Sequence, residues 1–201
     1  MVKRATPPLS LGVTGSGAAC WALGSGSDSG AFRAAMRRVV SGVTVVTTCH
    51  DGRPWGMTVN AFSSVCTDPP TVLVCVNNRT VTASDIMRDG RFAANLLSQD
   101  QLYLSRLCAR PGDVKYLDDH TVAAAELPEQ VAMPVLRDSL VTFDCKVSEA
   151  RPVGSHFVVF GTVEAILAPA TRSPLLYGQG RYLHGVAIDE APAMMAALAW
   201  A

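Results

Sequence analysis

The run Gly56-Met57-Thr58-Val59-Asn60-Ala61-Phe62-Ser63-Ser64-Val65-Cys66-Thr67-Asp68-Pro69-Pro70 constrains this chain more than any other stretch. From Met57 to Ala61 it alternates strictly, with Thr58 and Asn60 on one face and Met57, Val59 and Ala61 on the other, which is the period of a half-buried strand. Between Ala61 and Phe62 the phase slips, and Ser63 and Ser64 add hydroxyls just beyond. A slip of this kind reads as a bulge beside a binding site. Asp68-Pro69-Pro70 then ends the run, because proline has no N–H to give to a ladder. Small neutral donors set between apolar residues suit a ligand with a flat apolar ring and a polar tail.

Upstream, Val43-Thr44-Val45-Val46-Thr47-Thr48 is rich in β-branched residues, and the Asp51-Gly52 pair that follows can take the positive φ angles of a tight hairpin turn. Residues 43–48 and 56–66 are therefore expected to pair. Residues 71–76 are apolar without alternation, as in a strand buried on both faces, and close in Asn77-Asn78-Arg79-Thr80. Thr80 or Thr82 opens a short helix reaching Arg88 and stopped by Asp89-Gly90, so hydroxyls, free helix amides and Arg79 converge where anions bind readily. An ordinary turn at Asn77-Asn78 beside a solvated Arg79 is the plainer alternative. Residues 92–97 form a further strand, and Ser98-Gln99-Asp100-Gln101 matches a capping box whose helix ends before Pro111-Gly112. Residues 112–134 are irregular. Residues 140–147 alternate, with Val141, Phe143, Cys145 and Val147 inward and Thr142, Asp144 and Lys146 outward, and residues 156–166 form another strand. Six strands and few helices predict a mainly β fold, an antiparallel barrel that closes and so removes its exposed edges.

Phe32, Met36, Val39 and Val40 fall at i, i+4, i+7 and i+8, a helical stripe with Arg33, Arg37 and Arg38 outside it and Asp28 or Ser29 as cap. Residues 1–30 differ in composition, with Pro7-Pro8 followed by a Gly/Ser/Ala-rich stretch, and are read as a disordered extension outside the fold. Their glycines interrupt the apolar core that an export signal needs. Residues 31–188 make the domain and residues 189–201 a C-terminal tail. A chain of 201 residues, 49% of them apolar, has ample material for one core. Its 17 acidic and 17 basic residues cancel, so no broad basic field exists to attract nucleic acid or anionic lipid. No apolar run approaches the ~20 residues of a membrane span. Cys20, Cys49, Cys66, Cys75, Cys108 and Cys145 stand singly, without metal-site spacing, as small hydrophobes in a reducing cytoplasm do. His50, His120 and His184 read as solvated or locally bonded, and no histidine pair has metal-ligand spacing.

In order and spacing, several of these segments resemble the flavin reductases of the split-barrel flavin-binding fold, the small components of two-component flavin monooxygenases. The resemblance spans residues 32–182. It rests on Phe32-Arg33-x-x-Met36, Ser41-Gly42-Val43-Thr44-Val45-Val46-Thr47, Gly56 through Val65 with Asp68-Pro69-Pro70, and Phe92-Ala93-x-Asn95-Leu96-Leu97. Gly154-x-His156 and Pro174-Leu175-Leu176-Tyr177 leading to Gly180-x-Tyr182 complete it.

The resemblance implies a split β-barrel with Greek-key-like antiparallel strands and a few flanking helices. It implies that Thr58, Val59, Asn60, Ala61, Ser63 and Ser64 edge the isoalloxazine and ribityl chain of FMN or FAD, and that Asn77, Arg79 and Thr80 hold the phosphate end. Asn95 stands where the family places a polar residue beside the flavin, although a buried Asn satisfied by the backbone fits as well. His156 and Tyr182 are expected near the nicotinamide of NADH or NADPH, with His156 the candidate catalytic residue. Where the family has Gly-Asp-His this chain has Gly154-Ser155-His156. The implied activity is hydride transfer from the nicotinamide nucleotide to a diffusible flavin for a separate monooxygenase, in a homodimer with its site at the twofold interface. Two alternatives stay open. One is a non-catalytic flavin module that lost its hydride site with the acidic residue, and the other an oxidase with permanently bound flavin, as in the pyridoxamine-phosphate oxidases of similar fold.

Overall fold

The computed structural model describes residues 28–169 and 172–186. Within them the chain runs α1 (Ser29–Met36), β1 (Ser41–Gly42), β2 (Thr44–His50), β3 (Arg53–Val59), β4 (Phe62–Thr67), β5 (Pro70–Asn77), α2 (Val81–Asp89) and β6 (Arg91–Leu96). It continues through α3 (Leu102–Ala109), β7 (Val141–Val153), β8 (His156–Leu167), β9 (Leu175–Gly178) and β10 (Arg181–His184). Local chemistry accounts for several boundaries. Asp51 and Gly52 take φ of 50° and 74°, so the expected two-residue turn joins β2 to β3. The Thr80 hydroxyl accepts from Ala83 N to start α2, and Gly90 ends that helix in the left-handed region. Gln101 Oε1 accepts from Ser98 N, closing the capping box ahead of α3.

Seven strands hydrogen-bond in the order β3-β2-β6-β7-β8-β5-β4, and β1, β9 and β10 form a separate small sheet in the order β1-β9-β10. All pairings are antiparallel. β3 and β4 are consecutive in sequence yet stand at opposite ends of the seven-strand order, with no ladder between them. The barrel is therefore split, not closed as the strand count alone suggests. The expected bulge at Ala61-Phe62 is a complete break at Asn60 and Ala61 that makes two strands of one, and the register shift lies farther on, between Ser64 and Cys66. The outer edge of β4 is free, whereas that of β3 is met in part by Tyr116 and Leu117.

Strand β2 divides the core. Val46 packs with Met57, Val74, Ile86, Phe92, Cys145 and Val159 in one cluster, and Val43 and Val45 join Leu97, Leu104, Cys108, Leu117, Leu136 and Leu175 in the other. Three expectations fail here. β5 buries Val72, Val74 and Val76 but only half-buries Leu73 and Cys75, so one of its faces meets the core. Thr142 and Asp144, expected outward, are 1% and 0% exposed. Both precede a register shift between Asp144 and Cys145, so the face they share is buried before it and Cys145 is buried after it, and the irregular segment before β7 reaches them where Ala132 N donates to Asp144 Oδ2 at 2.6 Å. The α1 stripe is not buried: the helix ends at Met36, short of Val39 and Val40, and Phe32 and Met36 are 63% and 48% exposed. The readings of an N-terminal extension and a C-terminal tail lie outside the described residues, save that Asp28 caps α1 and Ser29 and Gly30 open it. Among the described residues no helix is long and apolar enough to cross a membrane.

Candidate functional site

A groove of about 220 Å³ opens where β3, α3 and the small sheet meet, lined by Thr58, Asn60, Ser105, Ala109, Tyr177 and Tyr182. Each wall follows from local sequence. The alternation of β3 sends Met57 and Val59 into the core and leaves Thr58 and Asn60 at the groove. Tyr177 and Tyr182 lie directly opposite each other across the β9–β10 ladder, and their rings meet edge to face, 5.2 Å apart at 67°. Helix α3 supplies the floor. Ser105 O accepts from Thr58 Oγ1 at 2.8 Å, and Ser105 Oγ pairs with the Tyr182 hydroxyl at 2.9 Å. The guanidinium of Arg106, exposed at the mouth, lies 5.7 Å from the centre of the Tyr182 ring. Beneath them burial pushes the Cys108 thiol up to about 12, so it is an inert part of the core at neutral pH.

A second cluster forms where β5 ends. Asn77 Oδ1 accepts from Arg79 N at 3.0 Å, and the Thr80 hydroxyl donates to Asn77 O at 2.7 Å. His156 stands opposite Asn77 in register. Its Nδ1 lies 2.9 Å from Ser155 Oγ, so a neutral hydroxyl orients the imidazole where the family motif has a carboxylate. Asn78 ties the two turns together, donating its N–H to Ser155 O at 3.0 Å. Arg79 is exposed, and among the described residues its side chain forms no ion pair.

The sequence-derived candidates thus separate. Thr58, Asn60 and Tyr182 share the groove, while Asn77, Arg79, Thr80 and His156 share the β5 end, so within one chain His156 and Tyr182 belong to different clusters. Val59 offers only its backbone, since its side chain is core. Ala61 is exposed in the break, its carbonyl accepting from Cys75 N at 3.1 Å. Ser63 and Ser64 lie exposed on β4, at the free edge of the sheet. Asn95 faces no groove: it is 0% exposed, and its carboxamide is fully engaged. Nδ2 donates to Val45 O and Thr47 Oγ1 at 3.1 and 2.9 Å, while Oδ1 accepts from Leu136 N and Thr142 Oγ1, both at 2.9 Å. With both donors and both lone pairs used, it has no capacity left for a ligand. Of the two readings of His50, solvated or bonded, the structure has the bonded one: its Nδ1 lies 3.1 Å from Oδ1 of the buried Asp85.

Sequence reasoning missed Ser105 and Tyr177 as groove residues. Ser105 sits mid-helix with no local signal, whereas Tyr177 lies in the quoted Pro174-Leu175-Leu176-Tyr177 match, five positions before Tyr182. The groove combines two aromatic walls with neutral polar groups, and the exposed Arg106 guanidinium lies beside it, a surface that suits a planar ring. A family profile described as "Flavin reductase like domain" matches residues 36–185. The chain is 35% identical over 159 residues to the reductase component of a 4-nitrophenol 4-monooxygenase/4-nitrocatechol 2-monooxygenase of Rhodococcus opacus, covering 79% of this chain and 82% of the relative. It is 35% identical over 155 residues to an FMN reductase (NADH) of Methylorubrum populi, covering 77% of this chain and 75% of the relative. An NADH:FAD oxidoreductase of Streptomyces globisporus C-1027, solved with NAD and FAD fragments, superposes with a TM-score of 0.74 at 26% identity over 84% of this chain and 99% of its own.

Proposed function

The chain belongs to the flavin reductase-like domain family, and on that premise we propose that it is an NAD(P)H:flavin oxidoreductase that supplies reduced FMN or FAD to a separate flavin-dependent monooxygenase. The observation that carries this is the groove itself, with two tyrosine faces and the uncharged Thr58, Asn60 and Ser105. The flavin, when bound, accepts from the nicotinamide a hydride with its two electrons, a solvent proton completing the reduction. The residues of this chain would bring the two rings within stacking reach of each other, with the Asn60 carboxamide and backbone N–H groups as donors to negative charge that develops in the transfer. Arg79, with the Asn77 and Thr80 turn, takes the phosphate end. The names of the relatives from Methylorubrum and Streptomyces both specify NADH, which favours NADH over NADPH, while one specifies FMN and the other FAD.

We propose further that two copies complete the site. A groove of about 220 Å³ in one copy falls below the roughly 300–1,000 Å³ of ligand pockets, and the His156 cluster lies apart from the Tyr182 wall. A second copy related by a twofold axis supplies the missing surface. The five unpaired cysteines among the described residues suit a cytoplasmic reaction.

The purified protein should oxidise NADH only when free FMN or FAD is added; full turnover without flavin, or flavin that survives dialysis after reduction, refutes the reading. In the same assay His156→Ala should raise the KM for NADH while leaving the flavin Kd in place. An unchanged KM would remove His156 from the site.

A further inference from the structure

We propose that Ser105 is a positioning residue of this site, fixing the Tyr182 ring as the wall against which the nicotinamide leans; the inference rests on the reductase reading above. A serine inside a helix ordinarily turns its hydroxyl to solvent or back to the carbonyl one turn earlier. Ser105 does neither. It is 0% exposed, and its Oγ pairs with a hydroxyl 77 residues away in another sheet, at 2.9 Å. Its carbonyl meanwhile accepts from Thr58 Oγ1 at 2.8 Å, so one residue of α3 is hydrogen-bonded to both facing walls of the groove.

Tyr182 needs such a tie. β10 is four residues long and pairs only with β9, so the ladder leaves the ring free to rotate about its side-chain torsions. Besides its packing against the core cluster on the α3 side, three contacts orient it: the edge-to-face Tyr177 ring, the Arg106 guanidinium 5.7 Å away, and the Ser105 hydroxyl. Of these only the hydroxyl contact is a hydrogen bond, with the distance and angle demands of one. Loss of it leaves the aromatic wall in place but no longer pre-set, and the cost then falls on the affinity of the ring that stacks there.

The test uses the full-length chain with Ser105→Ala, Tyr182→Phe and the double variant, measuring NADH kinetics at saturating FMN, flavin Kd by fluorescence quenching, and Tm. A hydrogen bond of the usual net worth corresponds to a rise in the KM for NADH of about threefold to tenfold. That rise is expected in each single variant with kcat and flavin Kd within about twofold, the pattern of lost uniform binding. The double variant should be no worse than the worse single, because both changes remove the same bond. A structural role alone would lower Tm and active fraction and leave KM unmoved. An unchanged KM in folded Ser105→Ala, or additive effects in the double variant, overturns the proposal. Should Ser105→Ala fail to fold, Tyr182→Phe breaks the bond from the other side, and its KM decides. Wild-type protein that does not oxidise NADH with flavin present overturns the reductase reading and this inference with it, whereas an active wild type with unmoved variants overturns the inference alone.

Discussion

Asn95 is the residue at which burial decides between two roles a motif leaves open. Its carboxamide joins β2, β7 and the irregular segment through four hydrogen bonds with no exposed surface, and each partner is itself sealed from water. Asn95→Ala leaves several buried polar groups unpaired at about 1 to 3 kcal/mol each, less whatever relaxation or water recovers. We expect a loss of about 3 kcal/mol or more by urea unfolding, with the flavin Kd of the remaining folded protein unchanged; a stable variant with weakened flavin binding would return Asn95 to the site. Legibility at this scale followed the backbone. Thr58 and Asn60 could be read because strand alternation alone fixes their face, and Thr80 because a cap needs a hydroxyl at that position. Ser105 could not be read, since its partners Thr58 and Tyr182 lie 47 and 77 residues away and nothing in a helical period marks a serine that reaches across sheets. His156 was placed beside Tyr182 by family pattern, whereas the register puts it opposite Asn77.

Among the elements, β7 and β8 are the longest strands of the main sheet. Their ladder shifts register twice, at Asp144/Cys145 and Val147/Glu149, and Gly161 of β8 pairs with Val147 and Val72 beside the second shift. A Cβ there would sit 2.7 Å from Phe92 Cζ and 2.8 Å from Cys145 Cβ. Phe92 is itself 0% exposed and has nowhere to move, so the strand bends around an aromatic ring only because residue 161 has no side chain. Gly161→Ala should cost about 1 to 3 kcal/mol of stability by overpacking, and Phe92→Leu in the same chain should recover part of it. Equal costs with and without Phe92 would show the ring is not what the methyl group meets. Elements bounded by their own turn chemistry were legible, such as the Asp51-Gly52 hairpin and the Ser98 capping box. The break between β3 and β4 was not, because a phase slip looks the same whether one residue bulges or two leave the ladder. Outward-reading Thr142 and Asp144 bond to distant partners, Asn95 of β6 and Ala132 of the irregular segment, that no local period reports.

Across the whole molecule, two cores on either side of β2 each enclose a thiol, Cys145 in one and Cys108 in the other. Burial pushes both up to about 12 from 9.0, Asp144 adding to the effect at Cys145 and Lys115 opposing it at Cys108. Cys49 and Cys75 are raised in the same direction, again chiefly by burial. Below about pH 8 these thiols are protonated in folded and unfolded chains alike and contribute almost no slope. As pH rises from 9 towards 12 the unfolded chain releases protons that the folded one retains, so stability falls by up to about 1.4 kcal/mol per pH unit for each fully shifted thiol. Lys115 acts the other way: desolvation lowers its ammonium below 10.5, the folded chain sheds that proton first, and stability gains a little as pH rises towards 10.5. Two strongly shifted thiols outweigh one lysine, so the urea midpoint should hold level from about pH 7 to 8.5 and then fall steeply. The slope, not the absolute stability, carries the argument, because Cys108→Ala and Cys145→Ala also open cavities. The double variant should begin less stable at neutral pH and lose stability more slowly above pH 9. Parallel curves for wild type and double variant would mean that the thiols are not the groups whose ionisation opens the two cores.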